Sequence, residues 1–326
     1  MTQSAQKLHF GIIGCGAIGL GLAHLLREHT CTMFVSETKY DLLAKSTISV
    51  FENDHNSMEH RQEHRKERST IDADIRDLNT TSERFFTTLD LLILPVKHYH
   101  LTPLMAQLKH TLPKSLDLLL LQNGLGGHEI IQTSFHDNTL YLGATTDAIA
   151  LQNPSKIQIH ARGDLLIGNT ASHRASAAIY ALLNAHPKAS WDDDIMTYLY
   201  KKLAVNAVIN PLTAKFKCRN GEIKHYPEWL AGLKKEVLSL YQKMSEQEHF
   251  AFDIAALDKY IDDVIEITAQ NYSSMYQDVV NGRQTEIEGI LGILIKKAAD
   301  YGLQLPMTTS LYKEISLLAP ISVKRN

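Results

Sequence analysis

The chain of 326 residues is poor in the features that mark several protein classes. It has only three cysteines, Cys15, Cys31 and Cys218, odd in number and far apart. That pattern excludes a disulfide framework and predicts reduced thiols in a cytoplasmic setting. No run approaches about 18 consecutive apolar residues, so no membrane span is expected. The first residues, Met1 to Lys7, have neither the basic start nor the apolar core of a secretory signal. No basic excess is present either. Lys and Arg number 33 against 36 Asp and Glu, for a net charge of −3. A nucleic-acid partner or an anionic membrane surface is therefore not expected. Internal repeats and long low-complexity tracts are also lacking. What remains is an ordinary globular composition, 44% hydrophobic and 21% charged, over a length suited to two domains.

The first half alternates short apolar runs with helical patterns, as a parallel α/β sheet does. Leu8 to Ile13 reads as the first strand. Thr32–Val35, Leu89–Val96 and Leu118–Leu121 read as further strands, and Leu140–Gly143 begins another pairing region. Ile157–His160 and Leu165–Gly168, joined at Arg162-Gly163-Asp164, read as a hairpin closing the sheet. Beyond about residue 170 the spacing turns helical, at 177–183, 196–208, 230–244, 257–268 and 285–301. Pro211 should kink or end its helix. The expected architecture is an N-terminal Rossmann-type doubly wound domain, 1–180, followed by a mostly helical domain, 181–326, that supplies substrate and catalytic residues.

One motif carries chemistry directly. The first strand runs into Gly14-Cys15-Gly16-Ala17-Ile18-Gly19, and a helical stretch follows. Strand, G-x-G-x-x-G and helix in that order form a dinucleotide fingerprint. Gly14 permits the tight turn, Gly16 lets the backbone approach a pyrophosphate, and Gly19 lets helix and strand pack closely. The pyrophosphate then meets free N–H groups at the positive end of a helix dipole. All six residues, 14 to 19, are candidate cofactor contacts. Lys97 and Asn123 follow the ends of two apolar strands, where an open α/β sheet binds its ligands.

In the second half Lys202, Asn206 and Asn210 recur at i, i+4 and i+8, on one helix face in apolar surroundings. A lysine in a low-dielectric cleft suits protonation of a carbonyl oxygen that receives hydride. Solvated Lys and Asn on an ordinary helix are the bland alternative. Glu286 and Glu288 fall in the first turn of the last long helix, as dipole partners or as a carboxylate holding the charge of Lys202.

Several segments together resemble the ketopantoate reductase family. They are Lys202-Leu203-Ala204-Val205-Asn206 through Asn210-Pro211-Leu212-Thr213-Ala214, Asn220-Gly221-Glu222, Ser273-Ser274-Met275 with Gln277-Asp278, and Thr285-Glu286-Ile287. The likeness spans about residues 8–312, in the family's order. It implies reduction of the 2-keto group of ketopantoate with NADPH, giving pantoate for pantothenate and coenzyme A synthesis. It implies Lys202 as the group that gives a proton or hydrogen bond to the ketone oxygen, with Glu286 as its partner near the cofactor. Asn206, Asn210, Asn220, Asn271, Ser273 and Ser274 correspond to substrate positions, Ser274 at the carboxylate end. Lys97 and Asn123 correspond to cofactor-side positions, and the assembly would be a monomer or homodimer.

Two departures leave alternatives open. Thr38 stands where family members often carry an Arg for the 2′-phosphate of NADPH. Glu37, about 18 residues beyond Gly19, suits a 2′-hydroxyl and so NADH. Lys39 or a basic residue of 61–68 could instead meet the phosphate. The polar 52–68 segment has no clear counterpart. Its His60-Arg61-Gln62-Glu63-His64 spells a zinc-protease pattern, but no apolar helical face builds a metal cavity there, and no metal is expected. Cys15 reads as a small residue packed at its turn. The scattered His24, His98 and His100 are weaker acid candidates than Lys202. A reductase of another 2-keto acid, or a nucleotide-sensing protein without catalysis, are the rival readings.

Overall fold

A computed structural model describes residues 7–53, 66–171, 174–248 and 250–318. The strands are β1 (His9–Ile13), β2 (Thr30–Val35), β3 (Ile48–Asn53), β4 (Lys66–Ile71), β5 (Asp74–Asp77), β6 (Leu91–Leu94), β7 (Asp117–Leu121), β8 (Leu140–Thr145), β9 (Ala148–Asn153), β10 (Lys156–Ala161), β11 (Leu165–Gly168) and β12 (Ala189–Trp191). The helices are α1 (Ala17–Leu25), α2 (Glu37–Leu43), α3 (Glu83–Phe86), α4 (His98–Leu108), α5 (Gly127–Ser134), α6 (Ala177–Ala185), α7 (Ile195–Phe216), α8 (Pro227–Gln247), α9 (Ile254–Ile267), α10 (Ser274–Val280), α11 (Ile293–Asp300) and α12 (Pro306–Leu318). A 3₁₀ turn covers Asn220–His225 and a π turn covers Glu288–Gly292.

The chain divides into two compact units. The first holds residues 1–122 and 128–195; the second holds 123–127 and 196–326. Helix α6 and strand β12, beyond residue 176, belong to the first unit.

In the first unit an eight-stranded sheet has the order β12-β11-β8-β7-β6-β1-β2-β5. From β8 to β5 every neighbouring pair is parallel. Central strands buried on both faces must be apolar throughout, and β6 (Leu91, Leu92, Ile93, Leu94) is wholly inaccessible. The chain leaves β1 towards β2 and β5, then returns to β6 on the other side. That reversal makes the carboxyl ends of β1, β2 and β6 the switch point of a doubly wound sheet.

The expected hairpin of 157–160 with 165–168 does not form. Strand β10 lies in a second sheet, of order β4-β3-β10-β9, while β11 runs antiparallel to β8 in the first. Steric crowding explains the crossing. A Cβ on Gly163 would come within 2.3 Å of Thr146 Oγ1, so the segment is pressed flat against the β8–β9 turn rather than free to reverse. The second sheet packs on α1, where a Cβ on Gly21 would lie 2.4 Å from Ile149 Cδ1. Residues 52–53 and 66–68 of the polar segment are strand, in the antiparallel pair β3–β4. The HxxEH match and the basic residues 61–65 lie outside the described residues.

The joint between the two sheets is ionic. Asp147 accepts hydrogen bonds from Arg162 Nη1 at 2.9 Å, from the backbone N–H of Gly163 at 2.8 Å and from His186 Nε2 at 3.2 Å. The Lys188 N–H donates to His186 Nδ1, which assigns the remaining ring proton to Nε2. Burial pushes the Asp147 carboxyl up, but the bonds from His186 and Arg162 outweigh it and hold the pKa below the usual value. Its stabilising contribution is therefore full above the unfolded carboxylate range and is lost as pH falls through the lower folded value.

Asp147→Ala should destabilise the protein by about 1–3 kcal/mol near neutral pH, because Arg162, His186 and the Gly163 N–H lose their shared acceptor while Arg162 keeps Glu52 at 3.5 Å. Urea melts of both proteins check this, and the gap should narrow in acid.

Candidate active site

The glycine turn has the expected geometry. Gly14, at φ +99°, turns the chain out of β1, and its N–H bonds the carbonyl of Phe34 at the end of β2. Gly16 caps α1 without any side-chain partner. A Cβ at Gly19 would lie 2.4 Å from the Gly14 carbonyl oxygen, so no other residue lets α1 approach β1 this closely. At Gly16, by contrast, a Cβ would meet nothing within 4 Å. The protein's own packing does not require glycine there, and the backbone is left open to close approach. An uncapped helix start beside open space fits a pyrophosphate. Cys15 is buried, and Ala17 and Ile18 are half-buried on the first turn.

Lys97 caps α4, just past β6. His100, in the first turn of α4, has its pKa lowered by partial burial of the ring and by the ammonium groups of Lys39 and Lys97. Cations from α2 and α4 thus gather beside the switch point. Glu37 is the first residue of α2 and is exposed.

In the second unit Lys202, Asn206 and Asn210 share the 22-residue helix α7. Their spacing places the ends of the row roughly 12 Å apart along the axis. The helix does not end at Pro211 but continues to Phe216. It is packed on all sides, with Leu203, Ala204, Ala207, Val208, Leu212 and Ala214 buried, so tertiary burial outweighs the missing N–H. Thr213, one turn from Asn210, bonds back through its hydroxyl to the carbonyls of Ile209 and Asn210 at 2.9 Å each.

Lys202 remains partly open to solvent, but its surroundings are dense. Desolvation lowers its pKa from the ordinary 10.5 to about 8, and the Glu286 carboxylate opposes that fall. Glu286 is 7% exposed and lies immediately before the helical turn that begins at Ile287, not within its first turn. The expected helix of 285–301 is helical from 287 to 300, with a π turn at Glu288–Gly292 before α11. Arg283, paired with buried Asp278 at 2.9 Å, fixes the strand-like approach to Glu286.

The remaining substrate candidates meet near the far end of α7. Ser273 caps α10 through its hydroxyl, which also lies 2.6 Å from Thr213 Oγ1. The Asn220 N–H bonds the Asn271 carbonyl at 3.0 Å, and its Nδ2 donates to Thr268 Oγ1 at 2.9 Å. Asn220 Oδ1 is buried without a hydrogen-bond partner. Ser274 and Asn271 are exposed, so their polar groups face outward from this cluster. Ser273 itself is engaged by the fold. The hydroxyl of Thr213 was not singled out by sequence spacing, since its contact is to a residue far along the chain.

Asn123 follows β7, yet it belongs to the helical unit. The Leu125 N–H bonds the Gly289 carbonyl at 3.0 Å, within the π turn. Among the described residues no group of His, Cys, Asp and Glu could hold a metal ion, and no helix is long and apolar enough to cross a membrane. Cys31 is buried, with its thiol pushed up to about 12.

Comparisons with known proteins give the chain's family and its relatives. Residues 10–172 match the family described as Ketopantoate reductase PanE/ApbA, and residues 194–319 match Ketopantoate reductase PanE/ApbA C terminal. The chain is 33% identical over 240 residues to the 2-dehydropantoate 2-reductase of Escherichia coli O157:H7, covering 73% of this chain and 77% of that one. The crystal structure of probable 2-dehydropantoate 2-reductase panE from Bacillus subtilis is 24% identical, with TM-score 0.77 over 95% of this chain and 100% of that one. A D-mandelate dehydrogenase bound to NADH and anilino(oxo)acetate has the same fold at 20% identity, with TM-score 0.81 over 95% and 98% of the two chains.

Removing the Glu286 charge should lower the Lys202 pKa further below about 8, since that carboxylate raises it. NMR titration of labelled lysine in wild type and Glu286→Gln checks the direction of the change.

Proposed function

Since the chain belongs to the ketopantoate reductase family, an oxidoreductase family acting on CH–OH groups, we propose that it reduces ketopantoate to pantoate with NADPH. The observation that carries this reading is the Lys202–Glu286 pair, an ammonium held in dense surroundings with its pKa brought down to about 8. Reduction of a ketone builds negative charge on oxygen as hydride reaches carbon. A placed cation that can also surrender a proton stabilises that charge and completes the alcohol.

The residues divide the work. The turn 14–19 and the start of α1 hold the pyrophosphate, and Lys97 and Asn123 serve the cofactor side. The nicotinamide, when bound, supplies hydride. Lys202 Nζ gives its proton to the ketone oxygen. Glu286 keeps Lys202 charged until that moment. Asn206, Asn210 and Asn220 orient the substrate's polar groups, and the unpartnered Asn220 Oδ1 suits a substrate hydroxyl. Asn271 and Ser274 meet its outer end, and Ser273 holds them in place through Thr213. The gathering of Lys39, Lys97 and His100 supports a 2′-phosphate, and hence NADPH over NADH, despite Glu37.

Oxidation of NADPH and NADH is measured side by side, with and without ketopantoate. Fast ketopantoate-dependent oxidation of NADPH is expected, with the rate falling above about pH 8 as Lys202 loses its proton. Lys202→Ala should lower kcat by about 10²–10⁴-fold without loss of fold. No oxidation by a folded wild type that binds nucleotide would turn the assignment to another keto acid or to a sensing role, and a Lys202→Ala variant with near-normal turnover would remove the lysine from the mechanism.

A further inference from the structure

The segment 123–127 leaves β7 of the large sheet but is built into the helical unit. Two features fasten it. The Leu125 N–H donates to the Gly289 carbonyl at 3.0 Å. Gly124 lies so close to Gly289 that a Cβ on it would meet the Gly289 oxygen at 2.2 Å, its carbonyl carbon at 2.7 Å and its Cα at 3.2 Å. Backbone is thus packed on backbone, and the positive φ of Gly124, +86°, adds a second demand for glycine. The receiving surface is the π turn Glu288–Gly292, which starts two residues after Glu286. A π turn displaces the ordinary helical hydrogen-bond pattern locally, and such turns concentrate at functional sites.

We propose that Gly124 and Gly289 are positioning residues: their clasp sets the place of Asn123 relative to Glu286 and, through Glu286, relative to Lys202. Asn123 is sequence-adjacent to the clasp on one side, and Glu286 lies one turn from it on the other. All three polar groups then belong to one compact unit, although one of them enters from the strand of another. The Gly289 carbonyl that receives the loop lies within the π turn. This inference rests on the reductase reading, in which Asn123, Lys202 and Glu286 serve one reaction.

The test compares Gly124→Ala with Gly302→Ala. Gly302 also has positive φ, +66°, but a Cβ there meets nothing within 4 Å. It therefore reports the backbone penalty alone. Gly124→Ala should lower kcat by roughly 10²-fold, the scale of a misplacement near 1 Å. Its Lys202-dependent fall in rate at alkaline pH should stay where it is in wild type, because Lys202 and Glu286 are not displaced from each other. Gly302→Ala should keep wild-type kcat. A Gly124→Ala enzyme with wild-type kcat, or with a loss no larger than that of Gly302→Ala, overturns the proposal. Hydrogen exchange on the wild type gives an answer that needs no variant. The Leu125 amide should be protected together with residues 287–293; exchange at the rate of a free loop overturns the proposal. Absence of ketopantoate-dependent turnover in the wild type itself would instead overturn the reductase reading, leaving the exchange result to judge the clasp.

Discussion

The ammonium of Lys202 is the constraint around which the helical unit is arranged. A lysine close to apolar packing has lost much of its hydration, and the neutral amine becomes the easier state. An isolated charge in such a place would simply discharge. The carboxylate of Glu286 prevents that, but it is itself buried and needs the cation in return. The carboxylate thus favours the charged lysine against its burial. Helix α7 must therefore be held rigidly against the chain that delivers Glu286. The helix is packed around its full circumference, Tyr241 donates its buried hydroxyl to the Tyr200 carbonyl at 2.6 Å near its start, and Thr213 and Ser273 tie its far end to α10.

The dinucleotide half obeys a different constraint, that of close backbone approach. Gly19 is needed because helix meets strand, whereas Gly16 faces space that the protein leaves open. The two glycines look alike in the sequence and are distinguished only by what surrounds them. The uncapped start of α1 completes the logic, since a side-chain cap would occupy the same N–H groups that an anion uses.

Much of this was legible before any coordinates. Interior parallel strands declare themselves as unbroken apolar runs, and β6 and β7 were found for that reason. The glycine turn and the Lys202 row are local patterns that survive without a fold, while the segments around Asn220, Ser273 and Glu286 were legible through their resemblance to the family. The second sheet was not legible. Its strand β4 begins Lys66-Glu67-Arg68 and gains its identity only by pairing with β3, while β10 joins β3 from about a hundred positions away in the chain. The hairpin reading failed because Arg162-Gly163-Asp164 looks like a turn, whereas contacts with Thr146 and Asp147 make it a crossing. Pro211 does not end its helix, because the residues around it on α7 are buried and their packing outweighs one missing N–H. The π turn had no sequence signal.

In the proposed reaction, the value to which Lys202 is brought suits a proton donor working near neutral pH. At its ordinary 10.5 a lysine stays charged but gives up its proton reluctantly. With burial unopposed, the amine would be mostly neutral, with no proton to give and no charge to stabilise a developing alkoxide. The useful condition lies between, with pKa near the working pH, where most molecules are protonated and transfer is easy. Two opposed effects, the larger being burial, reach that condition. Burial supplies acidity and Glu286 supplies occupancy.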